Sequence, residues 1–458
     1  MTETILVPFA GDGVGVGQLT WAQRNIWRMM QMLGTPEMVG GTMPLEEGTT
    51  VEHIVHLLSF IMSRHQSLRT RIRVEADGTP VQILHDSGEA ALEIHDIAGT
   101  DNPARVAETI RQRFETAPFD IEHEWPVRMA VVRQDQIPVY FAVMYPHMVI
   151  DGYGFEALTE DLANLNRGTG EHLAPRQGIQ PMELAVLQQT PAERRRSDQA
   201  MHYWEQLLRS VPARRFHEAA DKREPRWWDG IYDSPAAFKA LRVLADRVRV
   251  HTGPILMAAY GVAIAKVTGI APSVIRTLVS NRFRPGFTES VSVLVQPGLC
   301  TIDVDGYTFE EIARRTFRSQ LAASKHGYYD PRDLWALIER INSERGVELD
   351  LMCYFNDRRR ALARMPSGPL PTIAEITEAL PQSRWEWGVR TDNPDAKAYL
   401  NVNSKPDTLN YDLRVDTHAL SPLELLAVLR QFENTLISAV LDPEAVIRVP
   451  TVALVCSS

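Results

Sequence analysis

Tyr145-Pro146-His147-Met148-Val149-Ile150-Asp151-Gly152 closes the apolar run Val139–Met144 and precedes Phe155, Leu158, Leu162 and Leu165, which recur at helical spacing. The stretch therefore reads as the end of a buried central strand, a tight loop, and a helix. His147 sits on that loop. A neutral imidazole has an ordinary pKa of about 6.5, so it can take a proton from an attacking amine or alcohol near neutral pH. Asp151 is placed to hold the loop by an ion pair. Gly152 lets the backbone turn and leaves an N–H for a reacting carbonyl. By itself His-x-x-x-Asp-Gly also fits a hydrogen-bonded structural histidine.

Upstream, Pro118-Phe119-Asp120 breaks a helical pattern at 104–114, and Val127–Val132 is a second apolar strand. Two further helices are predicted. Trp21–Leu33 follows Thr20 as N-cap, and Val51, Ile54, Val55, Leu58, Ile61 and Met62 mark one face of the other. A hairpin is expected over 69–74 and 81–84. Gly11-Asp12-Gly13-Val14-Gly15-Val16-Gly17 lacks the Lys-Ser/Thr ending and the interval of a nucleotide loop, and is expected to be a flexible loop leading into the first helix.

Asn166–Pro181 is rich in Gly, Pro and polar residues, which places a boundary near Pro175 and gives an N-terminal lobe of 1–175 and a C-terminal lobe of 176–458. The second lobe is predicted to hold helices at 182–189, 197–208, 235–248 and 253–266. Its strands are expected at 274–279, 291–295, 349–355, 398–402 and 411–415. Both lobes mix helix and strand, so the class is α/β (α+β). At 458 residues the chain exceeds one ordinary core, in line with two lobes.

The chain has 44% hydrophobic and 23% charged residues with a net charge of −10, which argues against nucleic acid and anionic membrane surfaces as partners. Arg194-Arg195-Arg196 and Arg358-Arg359-Arg360 are local exceptions, either solvated faces or contacts for an acidic protein or phosphate. Cys300, Cys353 and Cys456 have no partner at metal-ligand spacing, so neither a metal nor a resident cofactor is expected. With no basic-then-apolar leader and no window of about twenty apolar residues, a cytoplasmic protein is expected.

The motif resembles the His-His-x-x-x-Asp-Gly signature of the condensation domains of nonribosomal peptide synthetases. Leu19-Thr20-Trp21-Ala22-Gln23-Arg24-Asn25-Ile26-Trp27 is similar to that family's first motif, and Arg64-His65-Gln66-Ser67-Leu68-Arg69-Thr70 to its second. Trp125-Pro126-Val127-Arg128, His202-Tyr203-Trp204, Val279-Ser280-Asn281-Arg282 and 326–333 follow in order. The resemblance implies two chloramphenicol acetyltransferase-like lobes in a V-shaped pseudodimer. It also implies an acyl thioester donor on the phosphopantetheine arm of an acyl or peptidyl carrier protein, and an amine or alcohol acceptor. By carry-over His147 orients or deprotonates the acceptor, Asp151 is structural and paired with Arg282 from the second lobe, and Gly152 completes the motif. Arg64 and Arg69 are supporting residues.

The sequence departs from the family's pattern in three places. Pro146 replaces the first histidine, where its fixed φ stiffens the loop. Tyr153-Gly154 replaces Trp-Ser, and Gln296-Pro297 stands for Asn-Thr. No adenylation domain or Gly-Gly-x-Ser carrier segment is seen, so a free-standing monomer that meets its carrier in trans is expected. Two other readings stay open: a catalytically silent docking module for a carrier protein and a tailoring enzyme, and an acyltransferase using a soluble alcohol or a coenzyme A thioester.

Overall fold

The computed structural model describes residues 2–34, 36–359 and 368–450; Arg360 of the second basic run and Cys456 lie outside them. The chain packs as two compact units. The first takes in the chain up to Arg195 together with Ser280–Gln296, and the second takes in Arg196–Val279 and the chain from Pro297.

In the first unit the elements are β1 (Thr2–Ala10), β2 (Gly15–Gln18), α1 (Trp21–Leu33), β3 (Met38–Pro44), α2 (Val51–Arg64), β4 (Thr70–Val74), β5 (Pro80–Leu84), β6 (Ser87–Ile97), α3 (Pro103–Thr116), β7 (Arg128–Gln134), β8 (Ile137–Pro146), α4 (Gly152–Asp161) and α5 (Pro181–Leu187). A sixth helix, α6 (Pro191–Ser210), carries the chain onward. Five strands form a sheet in the order β1-β6-β7-β8-β3, in which only β6 and β7 run parallel. Both faces of this sheet are buried. Met129, Val131, Phe141 and Val143 pack on the side of α1, α2 and α4, and Ala130, Val132, Ala142 and Met144 pack with Ile110 and Phe114 of α3. Burial on both sides is why β7 and β8 read as unbroken apolar runs instead of alternating ones. Helices α1 and α2 begin at Thr20 and Thr50, each of which caps a backbone N–H three residues on.

Four sequence expectations change here. The glycine-rich stretch before α1 is not a loose loop: Gly15–Gln18 is β2, which pairs with β5, and buried Arg69 donates to the carbonyls of Asp12, Gly13 and His85. Residues 291–295 form no strand. Their apolar alternation is real, since Val291 and Val293 are buried in the first unit's core, but their backbone groups bond to side chains instead of a ladder. Third, Arg282 packs with the first unit and not with a second lobe. Pro175 also lies within the first unit. Residues 176–195 are held there because Gln180 accepts from the Gln66 N–H, Gln188 accepts from the Trp21 N–H, and Glu193 pairs with Arg284.

The second unit holds β9 (Trp227–Ser234), α7 (Pro235–Val248), α8 (Thr252–Thr268), β10 (Ser273–Val279), β11 (Gln296–Ile302), α9 (Phe309–Lys325), α10 (Pro331–Arg345), β12 (Cys353–Asp357), α11 (Ile373–Ala379), β13 (Arg384–Thr391), β14 (Ala398–Asn403), β15 (Leu409–Asp416) and α12 (Pro422–Leu441). Its seven-stranded sheet runs β11-β10-β12-β14-β15-β9-β13. Helix α8 is buried nearly all round, against α9 and α12. No single helix among the described residues is long and apolar enough to cross a membrane.

Candidate active site

Strand β8 delivers His147 one residue past its last ladder pair, Met38 with Pro146. The His147 N–H donates to the Glu37 carbonyl at 2.7 Å, and the half-buried residue stands in the chain between buried Pro146 and buried Met148. Its Nδ1 is 2.8 Å from the Ile150 carbonyl oxygen. A carbonyl can only accept, so Nδ1 carries the hydrogen of the neutral ring and Nε2 carries the lone pair. A local turn therefore chooses the tautomer.

Asp151 is 1% exposed and accepts four hydrogen bonds. Oδ1 takes the Gly154 N–H at 2.6 Å, capping α4, and Arg282 Nη2 at 2.8 Å; Oδ2 takes the N–H groups of Leu294 at 2.8 Å and Val295 at 3.0 Å. The Arg282 guanidinium also donates to the carbonyls of Phe287, Ser290 and Ser292. A carboxylate with four donors is committed to structure, since none of its lone pairs remains for proton transfer. Asp151 thus ties the His147 loop, the start of α4 and the 280–296 segment together.

The two glycines after Asp151 exchange the parts that the motif suggests for them. A Cβ at Gly152 meets nothing within 4 Å and its φ is not left-handed, so the turn does not require glycine there. At Gly154 a Cβ would lie 2.6 Å from the Ser292 carbonyl oxygen and 3.1 Å from Arg282 Nη2. Gly154 is the obligatory small residue, and its only sequence signal was that it departs from the family's serine. Pro146 is buried and costs β3 no hydrogen bond. Antiparallel pairs alternate, and because His147 bonds Glu37, the neighbouring pair Met38–Pro146 is one whose polar groups face away from each other.

Arg64 and Arg69 lie apart from this loop. The Arg64 fork grips Asp161, the last residue of α4, through Nε at 2.8 Å and Nη2 at 2.7 Å, while Nη1 reaches the Ala174 carbonyl. His65 Nε2 is 3.0 Å from the same carboxylate. Burial holds His65 below its ordinary pKa despite Asp161. Asp161 is opposed by burial, yet the His65 and Arg64 contacts hold it well below the usual carboxylate range. The pair is therefore neutral imidazole and ionised carboxylate. Both ends of α4 are pinned by a carboxylate on an arginine, Asp151 on Arg282 and Asp161 on Arg64.

Among the described residues no group of three or more His, Cys, Asp or Glu side chains could hold a metal ion. Cys300 and Cys353 are buried, and burial pushes both thiols up to about 12, so neither supplies a thiolate nucleophile.

The family model described as Condensation domain matches residues 15–445. The chain belongs to the condensation domain family. Chondramide synthase from Chondromyces crocatus is 26% identical over 322 residues, which cover 67% of this condensation domain and 8% of that synthase. Among solved structures, the SgcC5 protein from Streptomyces globisporus, in complex with (R)-(-)-1-(2-naphthyl)-1,2-ethanediol and sucrose, is similar with a TM-score of 0.71 at 18% identity, covering 93% of this chain and 99% of that one. The X-domain from teicoplanin biosynthesis is similar at 0.70 and 17%, covering 97% and 99%. At these identities the likeness is one of fold, and the fold of this chain is that of condensation domains.

Proposed function

We propose that this condensation domain transfers an acyl group from a carrier-protein-bound thioester to an amine or alcohol, with His147 as the proton acceptor. The Nδ1-H bond to the Ile150 carbonyl supports this reading most strongly, because it leaves Nε2 basic in the neutral ring. Nε2 removes the acceptor's proton as its nitrogen or oxygen attacks the thioester carbonyl carbon. The C–S bond then breaks, and the proton on Nε2 passes to the departing thiolate of phosphopantetheine, yielding an amide or ester and a free thiol. Gly152 is exposed in the first turn of α4, where backbone N–H groups have no carbonyl within the helix, and its N–H is assigned to the developing oxyanion. The diol bound by the SgcC5 protein places alcohols beside amines among the acceptors to try.

The test is intact-mass detection of acyl transfer from acetyl- and aminoacyl-loaded carrier protein to a panel of amines and 1,2-diols. His147→Ala is expected to lower the rate about 100-fold or more, and an unchanged rate removes His147 from the mechanism. Pro146 favours a second reading, a docking module without turnover, because it stands where the family's first histidine is found. A carrier that binds but stays loaded against the whole panel supports that reading.

A further inference from the structure

The imidazole of His147 is only as well placed as the strand end that carries it. We propose that β3 is the positioning element for His147 and Gly40 its positioning residue, a role that rests on the reading of His147 as proton acceptor. In the sheet order β3 has a single neighbour, β8, and its register runs from Met38 with Pro146 to Pro44 with Tyr140. The chain just before it then reaches the catalytic residue itself, through the His147 N–H on the Glu37 carbonyl. Any shift of β3 along or away from β8 moves that carbonyl, and with it the backbone of residue 147.

Gly40 sets how closely β3 approaches. It lies opposite Met144, and a Cβ there would fall 2.0 Å from the Val143 carbonyl oxygen and 2.9 Å from the Met144 Cα. Both are backbone atoms, so no rotamer change relieves the overlap and the strands must part. Gly41, next in the same strand, has nothing within 4 Å of its Cβ position. Gly40 also has a φ of +156°, which a residue with a side chain rarely adopts, so alanine there strains the backbone of β3 as well as overlapping β8, whereas Gly41→Ala meets neither cost and reports the general effect of alanine on this strand.

The experiment records ¹⁵N-histidine NMR spectra and transfer kinetics on the full chain, with the His147 ring signals identified by their loss in His147→Gln. Gly40→Ala is expected to shift those signals and to lower kcat on the order of 100-fold, the cost of a displacement near 1 Å, with KM for the loaded carrier little changed. Gly41→Ala is expected to match the wild type in both. If Gly40→Ala does not fold, Met38→Ala carries the test. Met38 is buried among Ile110 and Phe114 of α3, next to Glu37, and loosening it should move the same signals by less. Unmoved ring signals and unchanged kcat in a folded Gly40→Ala protein, or unmoved signals in Met38→Ala where Gly40→Ala is unfolded, overturn the proposal. The ring signals need no turnover, so a failure of positioning is distinguishable from a failure of His147 as base.

Discussion

One carbonyl, that of Ile150, decides which nitrogen of His147 can accept a proton. At the same scale Gly152 separates backbone chemistry from side-chain sterics. Because its Cβ position is open, Gly152→Ala should fold within about 0.5 kcal/mol of the wild type and keep most of its activity. Gly152→Pro is the informative change. Proline is favoured at the first helical position and Asp151 already has the extended φ of −106° and ψ of 177° that suit a residue before proline. The variant should therefore fold while losing the N–H assigned to the oxyanion, and single-turnover rates should fall about 10²–10³-fold. A folded Gly152→Pro protein with full activity removes that assignment.

The 280–296 segment shows how an element can be held without a ladder. Asp151 accepts its amides, Ser67 and Asn281 reach the carbonyls of Val291 and Leu294, and Arg282 gathers three more carbonyls. Asp151→Asn would set amide hydrogens against donors and leave a buried guanidinium unpaired, a loss of about 3–5 kcal/mol measurable by urea unfolding. Hydrogen exchange should show the Leu294 and Val295 amides losing protection before those of β7. This is also where sequence reading reached its limit. Capped helices α1 and α2 and the apolar runs of β7 and β8 were legible because periodicity and Thr20 announce them locally. Val291–Val295 has the apolar alternation of a strand, and side-chain partners about 130 or more residues away leave no local trace. Strand β3 went unread for the opposite reason, since Gly40-Gly41-Thr42 gives no apolar alternation.

For the whole molecule, legibility depended on order along the chain. The succession of motifs pointed to the family, and mixed helix and strand content pointed to the class, but a boundary read from Gly and Pro content could not foresee that 280–296 returns to the first unit. Val291 and Val293 are at most 1% exposed there, so a fragment ending at Arg195 lacks part of its own core and leaves Asp151 buried without Arg282. Such a fragment should melt without a cooperative transition in calorimetry, whereas the full chain should show one. Cooperative unfolding of the fragment would mean that the returning segment is dispensable.

The Asp151–Arg282 pair also bears on recombination between relatives. A crossover anywhere between Gly154 and Asn281 would join one parent's His147 loop to another parent's clasp, mismatching two partners that stand 131 residues apart along the chain. Shuffled libraries of such domains should be filtered at these two loci jointly, and exchanging them as one cassette is the cut that respects the physics of the site.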